Sequence, residues 1–354
     1  MKSSGIGGQA VLEGIMMKNG DAYAVAVRTP DNQIVLKVDE YHMFSAKRKW
    51  AGLPVIRGVF NFVDSMVLGM RTLAYSADFF EEESEGESGK RDKEGLSAKA
   101  GEKEKRSEET QAGVSQEEEN GMGKAAMALT VAVSILLAVG IFMVLPVVLV
   151  SFLRRFTQSS ALIALTEGVV RIGIFLAYVA LISRMEDIKR VFMYHGAEHK
   201  CINCVERGME LNVENVMKSS RFHKRCGTSF LLIVMIVSVV FFMFVRVETL
   251  WLRILTRICF IPLIAGVSYE FIRLAGNSDS NLVNLLSRPG LCLQRLTTKE
   301  PDESMAQVAI TAVEAVFDWK KYLEENFKGK GTLAEQGQSG QSYSDDQEYG
   351  NQES

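Results

Sequence analysis

The sequence predicts an α-helical integral membrane protein with about four transmembrane helices and a small N-terminal part that contains a β-hairpin, α+β overall. Apolar residues make up 47% of the 354 positions, and they are concentrated in long blocks rather than spread as in a soluble core. Strand and turn patterns are found near the N-terminus. Histidines and cysteines cluster in a polar segment between two of the apolar blocks.

The N-terminal part, residues 1–53, is expected to be β-rich. Two apolar stretches, residues 22–27 and 34–38, flank the turn-forming run TPDNQ, which is typical of a β-hairpin. The glycines at 5–8 precede no Lys-Ser/Thr pair, so they indicate tight backbone rather than a phosphate-binding loop. We expect no cleavable signal peptide, because the first residues lead into no apolar run.

Residues 54–80 have the pattern of an amphipathic helix. Arg57, Asp64, Arg71 and Asp78 recur every seven residues in a largely apolar stretch. Four charges would be costly in the interior of a bilayer, so the helix is expected to lie in the membrane interface. Packing along a helical bundle is the alternative.

Two segments have the composition of disordered chain, an acidic linker at 81–121 and a tail at 329–354. Residues 81–119 carry fourteen acidic against seven basic side chains, and residues 331–354 carry five against none. The net charge of −3 therefore hides a strongly basic remainder. Membrane lipids are the expected partner of that basic part, and no nucleic-acid recognition motif accompanies it.

A transmembrane region is predicted at 124–274. Residues 125–150 contain no charge for twenty-six positions, enough to cross a bilayer, and the other spans are expected at about 160–183, 228–246 and 250–273. Pro262 should kink the last span, which is either a complete span or a re-entrant helix. In the second span Glu167 and Arg171 form a possible intramembrane polar pair, which either has a function or satisfies itself.

Basic residues near the spans predict the orientation. They are abundant before the first span and in the loop 184–227, so this loop and both termini of the multi-pass protein are expected on the cytoplasmic side of the membrane. Residues 275–328 then form a cytoplasmic helical part. A turn is predicted at 287–290, and a helix is predicted to begin at Pro301.

The loop contains the run YHGAEHKCINC at 194–204 and the run RFHKRCG at 221–227. If His195 and His199 lie on one helix, their rings share a face, and the order His-x-x-Glu-His is that of the inverted zincins. In that interpretation His195, His199 and His223 bind a divalent metal, most simply zinc, and Glu198 acts as general base. Cys226 or Glu206 would be a further ligand.

Two alternatives use the same stretch. Cys201 and Cys204, followed by His223 and Cys226, have the spacing of a closed four-ligand zinc knuckle. The other alternative is no metal at all, with hydrogen-bonded histidines and reduced thiols. An odd number of cysteines, some inside apolar runs, fits a reducing compartment better than a disulfide framework.

Several runs in the same order carry a resemblance. These are GGQAVLEG at 7–14, YHGAEHK at 194–200, HKRCGT at 223–228, PGL at 289–291 and LTTKEP at 296–301. Together they resemble the YqhQ-like family, bacterial membrane proteins of a domain of unknown function that are labelled predicted metal-dependent enzymes. The resemblance favours His195, Glu198, His199, His223 and Cys226 over Cys201 and Cys204, and it makes Glu13 a possible supporting acid.

The first function predicted on these grounds is that of a metal-dependent hydrolase, a membrane protein with a cytoplasmic-face metal site. The alternative is a non-catalytic membrane scaffold or assembly factor with a structural metal. A small-solute or metal-ion transporter, with Glu167 and Arg171 along its path, is the third. The residues select neither a substrate nor an oligomeric state.

Overall fold

The computed structural model describes residues 3–43, 49–94, 129–157, 159–245, 249–277 and 280–327. Backbone contacts divide the chain into two compact units. The first comprises Met1–Glu81, Leu176–Phe241 and Val247–Ser354, and the second comprises Glu82–Phe175 and Phe242–Arg246. Most of the predicted linker, from residue 95 on, and the predicted tail lie outside the described residues.

The first unit is built on an antiparallel sheet in the order β1-β2-β3-β4. Its strands are Gly7–Val11, Gly14–Asn19, Ala22–Arg28 and Ile34–Glu40. Strands β3 and β4 are the predicted hairpin, which is confirmed. Strands β1 and β2 extend it to four strands, and β1 includes two of the glycines that were expected to form only tight backbone.

Both faces of the two central strands, β2 and β3, are covered, whereas most of β4 is exposed. One face carries Ile15, Met17 and Ala26 into a core that includes Tyr194 and Val308. The other face carries Val11, Val25 and their neighbours against Leu68, Tyr75 and Phe79. Strands buried on both faces lack the alternation of apolar and polar residues that a half-exposed strand shows.

Within the described residues there are ten helices besides two short 3-10 helices. They are α1 (Ile56–Glu94), α2 (Leu129–Ser151), α3 (Ser160–Ile182), α4 (Glu186–Glu206), α5 (Val213–Lys218), α6 (Gly227–Phe244), α7 (Leu250–Asn277), α8 (Asn281–Thr297), α9 (Glu303–Val316) and α10 (Trp319–Phe327). Helices α4 and α9 cover one face of the sheet, and α1 covers the other.

Helix α1 uses its polar stripe inside the protein. The Arg57 guanidinium pairs with the Glu270 carboxylate on α7, and Asn61 Nδ2 donates to Tyr269 Oη at 2.7 Å. Farther along, Tyr41 Oη donates to Asp64 at 3.1 Å. The helix continues to Glu94, past the predicted end at 80, because the glutamates and lysines that follow are good helix formers. Its placement in a membrane interface stays a prediction.

In the part of the chain that the structure describes, four helices are long and apolar enough to cross a membrane. They are Leu129–Ser151, Ala161–Ile182, Gly227–Phe244 and Leu255–Gly276, within a few residues of the predicted spans. In the second unit, Arg171 Nη2 donates to Glu167 Oε1 at 3.0 Å, and Arg171 Nε donates to the Phe142 carbonyl at 3.1 Å. Phe142 lies in a π-helical turn at Gly140–Val144 within the first span.

The turn predicted at 287–290 is wrong, since Pro289 and Gly290 lie inside α8. Gly290 is buried against α6, where an added Cβ would lie 2.8 Å from Ser229 Cβ. This packing holds the helix together across the proline. The helix predicted at Pro301 is confirmed as α9, with Asp302 accepting a hydrogen bond from Met305 N at 2.9 Å as its N-cap.

Candidate metal centre

Helix α4 presents two histidines one turn apart, as the sequence predicts. Glu186 and Asp187 in its first turn favour helix initiation beside the positive end of the dipole. The rings of His195 and His199 lie with centroids 4.5 Å apart. His199 is buried, whereas His195 keeps partial exposure.

Backbone carbonyls orient both rings. His195 Nδ1 lies 2.8 Å from the Thr297 carbonyl oxygen, and His199 Nδ1 lies 2.6 Å from the Arg221 carbonyl oxygen. A carbonyl oxygen can only accept, so each Nδ1 carries the proton and each neutral ring has its lone pair on Nε2. Metal-binding histidines are commonly held by such contacts.

Cys226 completes a group of three. Its Sγ lies 3.2 Å from His195 Nε2, and one donor atom from each of His195, His199 and Cys226 falls within 4.8 Å of the others. In a tetrahedral zinc site, a nitrogen ligand atom and a sulfur ligand atom lie about 3.5 Å apart. Cys226 lies directly before α6, and its carbonyl oxygen accepts a hydrogen bond from the Phe230 amide.

Charge at this group is shared between sulfur and imidazole. Burial would raise the pKa of the Cys226 thiol, but His195 and His199 outweigh burial and hold that pKa well below its ordinary value. Burial would likewise lower the pKa of His195, yet the neighbouring Cys226 sulfur raises it to about 9. Without a metal the group therefore favours a thiolate beside an imidazolium, and a bound cation would replace the proton.

Side chains of α4 clamp the loop that leads to Cys226. Lys200 Nζ donates to the carbonyls of Met217 and Ser219 at 2.9 and 2.8 Å. Asn203 Nδ2 donates to the carbonyls of Ser220 and Phe222 at 2.7 and 2.9 Å. With His199, these residues fix five carbonyls of residues 217–222. The loop conformation is thus set by α4 itself.

Glu198 lies beside the three-residue group without belonging to it. Its side chain is buried and packs against the backbone of β1, where a Cβ at Gly8 would lie 2.9 Å from Glu198 Cδ. Burial raises the pKa of its carboxyl, and the charges of His199 and His195 act in the opposite direction. A buried carboxyl of this kind suits a group that exchanges protons.

His223 lies next to His199, with ring centroids 5.6 Å apart, but its Nε2 faces Glu206 at 3.6 Å. Glu206 also accepts from Ser4 N at 2.8 Å and from the Arg225 guanidinium. Burial would raise the pKa of Glu206, but His223 and Arg225 outweigh it and hold the pKa at about 2. Within the described chain these two predicted ligands therefore form a separate ionic network.

Cys201 and Cys204 do not join the histidines. Both are fully buried in the core that α4 forms with the sheet and α9. Burial raises the pKa of the Cys201 thiol well above its ordinary value, as expected for a neutral core residue. Among the described residues, the four-ligand zinc knuckle is not assembled.

Glu13 supports α4 rather than the metal donors. It occupies the turn between β1 and β2 with a positive φ of 46°. Its carboxylate pairs with the Arg190 guanidinium and accepts a hydrogen bond from Tyr194 Oη at 3.2 Å. Tyr194 directly precedes His195, so Glu13 fixes this helix against the sheet.

The sequence interpretation assigned no role to the groups that surround the donors. Thr297 supplies the carbonyl for His195, and Thr228 Oγ1 contacts Cys226 Sγ at 3.0 Å and Thr297 Oγ1 at 3.3 Å. Gly196 is required by close packing, because a Cβ there would lie 2.0 Å from the Lys299 carbonyl. These residues lie inside the runs at 194–200, 223–228 and 296–301, and this position was the sequence signal that could have identified them.

Comparison with known proteins gives a family without an assigned activity. A family model described as "Protein of unknown function (DUF1385)" matches residues 53–319. The chain is 33% identical over 327 residues to "Uncharacterized protein YqhQ" of Bacillus subtilis (strain 168), covering 91% of this chain and 95% of that protein. No solved structure matches.

Proposed function

Starting from the fact that this chain belongs to the DUF1385 family and is similar to YqhQ, we propose that it is a metal-dependent hydrolase of the bacterial plasma membrane. One observation carries the proposal. His195, His199 and Cys226 bring three donor atoms together, and a buried carboxyl that is not one of them, Glu198, lies beside them. Three protein ligands and an open position are typical of catalytic zinc sites, whereas structural sites have four.

The donor set fits zinc. Two imidazole nitrogens and one thiolate sulfur are ligands of the borderline softness that Zn²⁺ accepts, and Mg²⁺ or Ca²⁺ would require oxygen ligands. The hydrogen bonds from each Nδ1 to a carbonyl leave both Nε2 atoms available for the metal. Zinc bound here would supply Lewis-acid activation of water and of the bond to be cleaved.

The protein side of the reaction falls to two groups, Glu198 and Thr228. Glu198 would take the proton from the attacking water and return it to the leaving group, as a general base that is not a ligand. Thr228 would stabilise the charge on Cys226 through its hydroxyl contact. Of the three donors, His195 alone keeps partial exposure, whereas His199 and Cys226 are almost inaccessible.

A non-catalytic scaffold is the second candidate, and a specific contact favours it. The His223 ring lies beside His199, with centroids 5.6 Å apart, and as a fourth ligand His223 would close the site. A closed metal would then hold α4, the loop 217–223 and the start of α6 together. The structural role would persist whatever happens to Glu198.

Transport is the weaker alternative. It would use Glu167 and Arg171 within the candidate spans. These two side chains bind each other, and Arg171 also binds the Phe142 carbonyl, so hydrogen bonding within the helices accounts for the pair.

We further propose that the centre and both termini lie on the cytoplasmic side, where the basic loop would meet anionic lipids. No nucleic acid is expected as a partner.

Glu198→Gln separates hydrolase from scaffold. In the hydrolase, the variant keeps about one zinc per chain and loses turnover, because the amide cannot accept the proton. Glu186→Gln, on the exposed first turn of the same helix, is the matched control. Purified wild type and both variants are incubated with total membrane lipids and with peptides, and products are identified by mass spectrometry.

We expect the wild type and Glu186→Gln to release the same products and Glu198→Gln to release none. Turnover by Glu198→Gln at the wild-type rate would contradict a general-base role. If Glu198→Gln instead loses both its zinc and its thermal stability, the result supports the scaffold.

A further inference from the structure

We propose that α8 is an interfacial helix whose exposed leucines insert into the lipid bilayer that its neighbouring spans cross. Leu282, Leu285 and Leu286 are 67%, 56% and 49% exposed, and Pro289 is exposed on the same side. At 100° per residue these positions form one stripe along the helix. A stripe of large apolar side chains in water would be unfavourable, and lipid chains would cover it.

The side of α8 that adjoins the leucine stripe, about 100° around the helix, is packed onto protein. Gly290 abuts Ser229 in the first turn of α6, and Gln294 Nε2 donates to Ser229 Oγ at 2.7 Å. The remaining buried positions of this side include Val283, Ser287 and Thr297. Helix α8 therefore has two distinct sides: one packs against the protein, and the other, which carries the leucines, is exposed.

Position relative to the spans identifies lipid as the occupant. Helix α8 begins four residues after α7 ends and crosses the first turn of α6, so it lies where one candidate span ends and another begins. These two ends are adjacent, because a Cβ at Gly276 would lie 2.5 Å from Arg225 Cδ. If α6 and α7 cross a bilayer, α8 lies at its surface.

The charges of α8 agree with a membrane surface. Arg288 and Arg295 are exposed along the edge beside the leucine stripe, seven residues apart on one line. Basic side chains at this position would reach anionic headgroups while the leucines enter the acyl region.

The proposal has a consequence for the metal centre. The packed side of the same helix holds the centre in place. The Thr297 carbonyl contacts His195, and the Gln294 side chain binds both the amide and the carbonyl of His223. The donor group would then lie at the depth of the lipid headgroups. This consequence rests on the proposed hydrolase, and it makes an amphiphile held in the cytoplasmic leaflet the expected class of substrate.

The test places a fluorophore at defined positions of the full chain in nanodiscs that contain anionic lipid. Exposed Cys259 and Cys292 are first replaced by alanine, and this parent measures background labelling of the buried thiols. Single cysteines are then introduced as Leu282→Cys and Leu286→Cys on α8, Ile261→Cys in α7 and Lys321→Cys in α10. Quenching is measured with a headgroup-depth nitroxide lipid, a mid-chain nitroxide lipid and aqueous iodide.

We expect labels at 282 and 286 to be quenched several-fold more by the headgroup-depth lipid than by iodide, with iodide quenching the label at 321. The label at 261 should respond to the mid-chain lipid. If 261 responds as expected and 282 and 286 respond only to iodide, the inference about α8 is wrong while membrane insertion stands. Shielding of 282 and 286 from every quencher would also overturn it, because protein would then cover the stripe. None of these readouts depends on turnover, so the hydrolase proposal is judged separately.

Discussion

Replacing Glu206 by glutamine tests the ionic network that anchors the N-terminus and the loop beside the metal centre. The carboxylate is 4% exposed and contacts Ser4, His223 and Arg225. Glutamine keeps the shape but removes the charge, which leaves the Arg225 guanidinium without its buried partner. Such a loss is destabilising because the remaining charge stays desolvated.

The pKa of Glu206 gives the magnitude. It falls from 4.5 to about 2 in the folded protein, and each unit corresponds to about 1.4 kcal/mol, so the ionised carboxylate stabilises the fold by about 3 kcal/mol. A folded-state pKa below the unfolded one means that this stability is present above pH 4.5 and is lost as the pH falls toward 2. About half of it is left near pH 3.

Thermal unfolding of the full chain in detergent, followed by tryptophan fluorescence and by size-exclusion chromatography, measures the effect. At pH 7 we expect Glu206→Gln to lower Tm by about 6–12 °C, with a smaller difference from wild type at pH 3. Glu214→Gln, which removes an exposed carboxylate paired with Lys218, should leave Tm unchanged. Equal Tm shifts in the two variants would refute the reasoning.

Gly196→Ala should prevent α4 from packing on the Lys299 backbone, so the variant should lose zinc and should not elute as a monodisperse peak. The control Gly173→Ala should change neither property, because nothing lies within 4 Å of its added Cβ. Wild-type behaviour of Gly196→Ala would contradict this packing. Cys201 is buried and unsuitable for topology mapping, so orientation is tested at exposed α10 with Lys321→Cys in the background lacking Cys259 and Cys292. An impermeant maleimide should label it only after the cells are opened, and labelling in intact cells would reverse the predicted orientation.

The parts of the fold that sequence predicts are those whose signal is local. An uncharged run such as 125–150 identifies a candidate span by itself, and TPDNQ between two apolar stretches identifies the β3–β4 hairpin. Strands β1 and β2 have no such signal. Gly14 is needed because a Cβ there would lie 2.3 Å from the Ala26 carbonyl, and the turn is made by Glu13, a residue that rarely adopts positive φ.

The site was predictable where spacing along one helix decides it. His195 and His199 share a face because they are four residues apart, and Cys226 was among the proposed ligands. The role of Cys201 depends on which side of α4 faces the sheet, and it lies about 200° around the helix from His199. The direction of His223 depends on Glu206 and Arg225, which are neighbours only after folding. Spacing contains no information about either contact.

Zinc stoichiometry of purified variants tests the central claim most directly. Wild type and the double variant Cys201→Ser/Cys204→Ser should each bind about one zinc per chain, because these two thiols lie in the core and not at the donor group. His199→Ala and Cys226→Ser should lose most of the zinc while eluting as monodisperse protein. Full zinc occupancy in His199→Ala, or loss of zinc from the double variant alone, would contradict a centre formed by His195, His199 and Cys226.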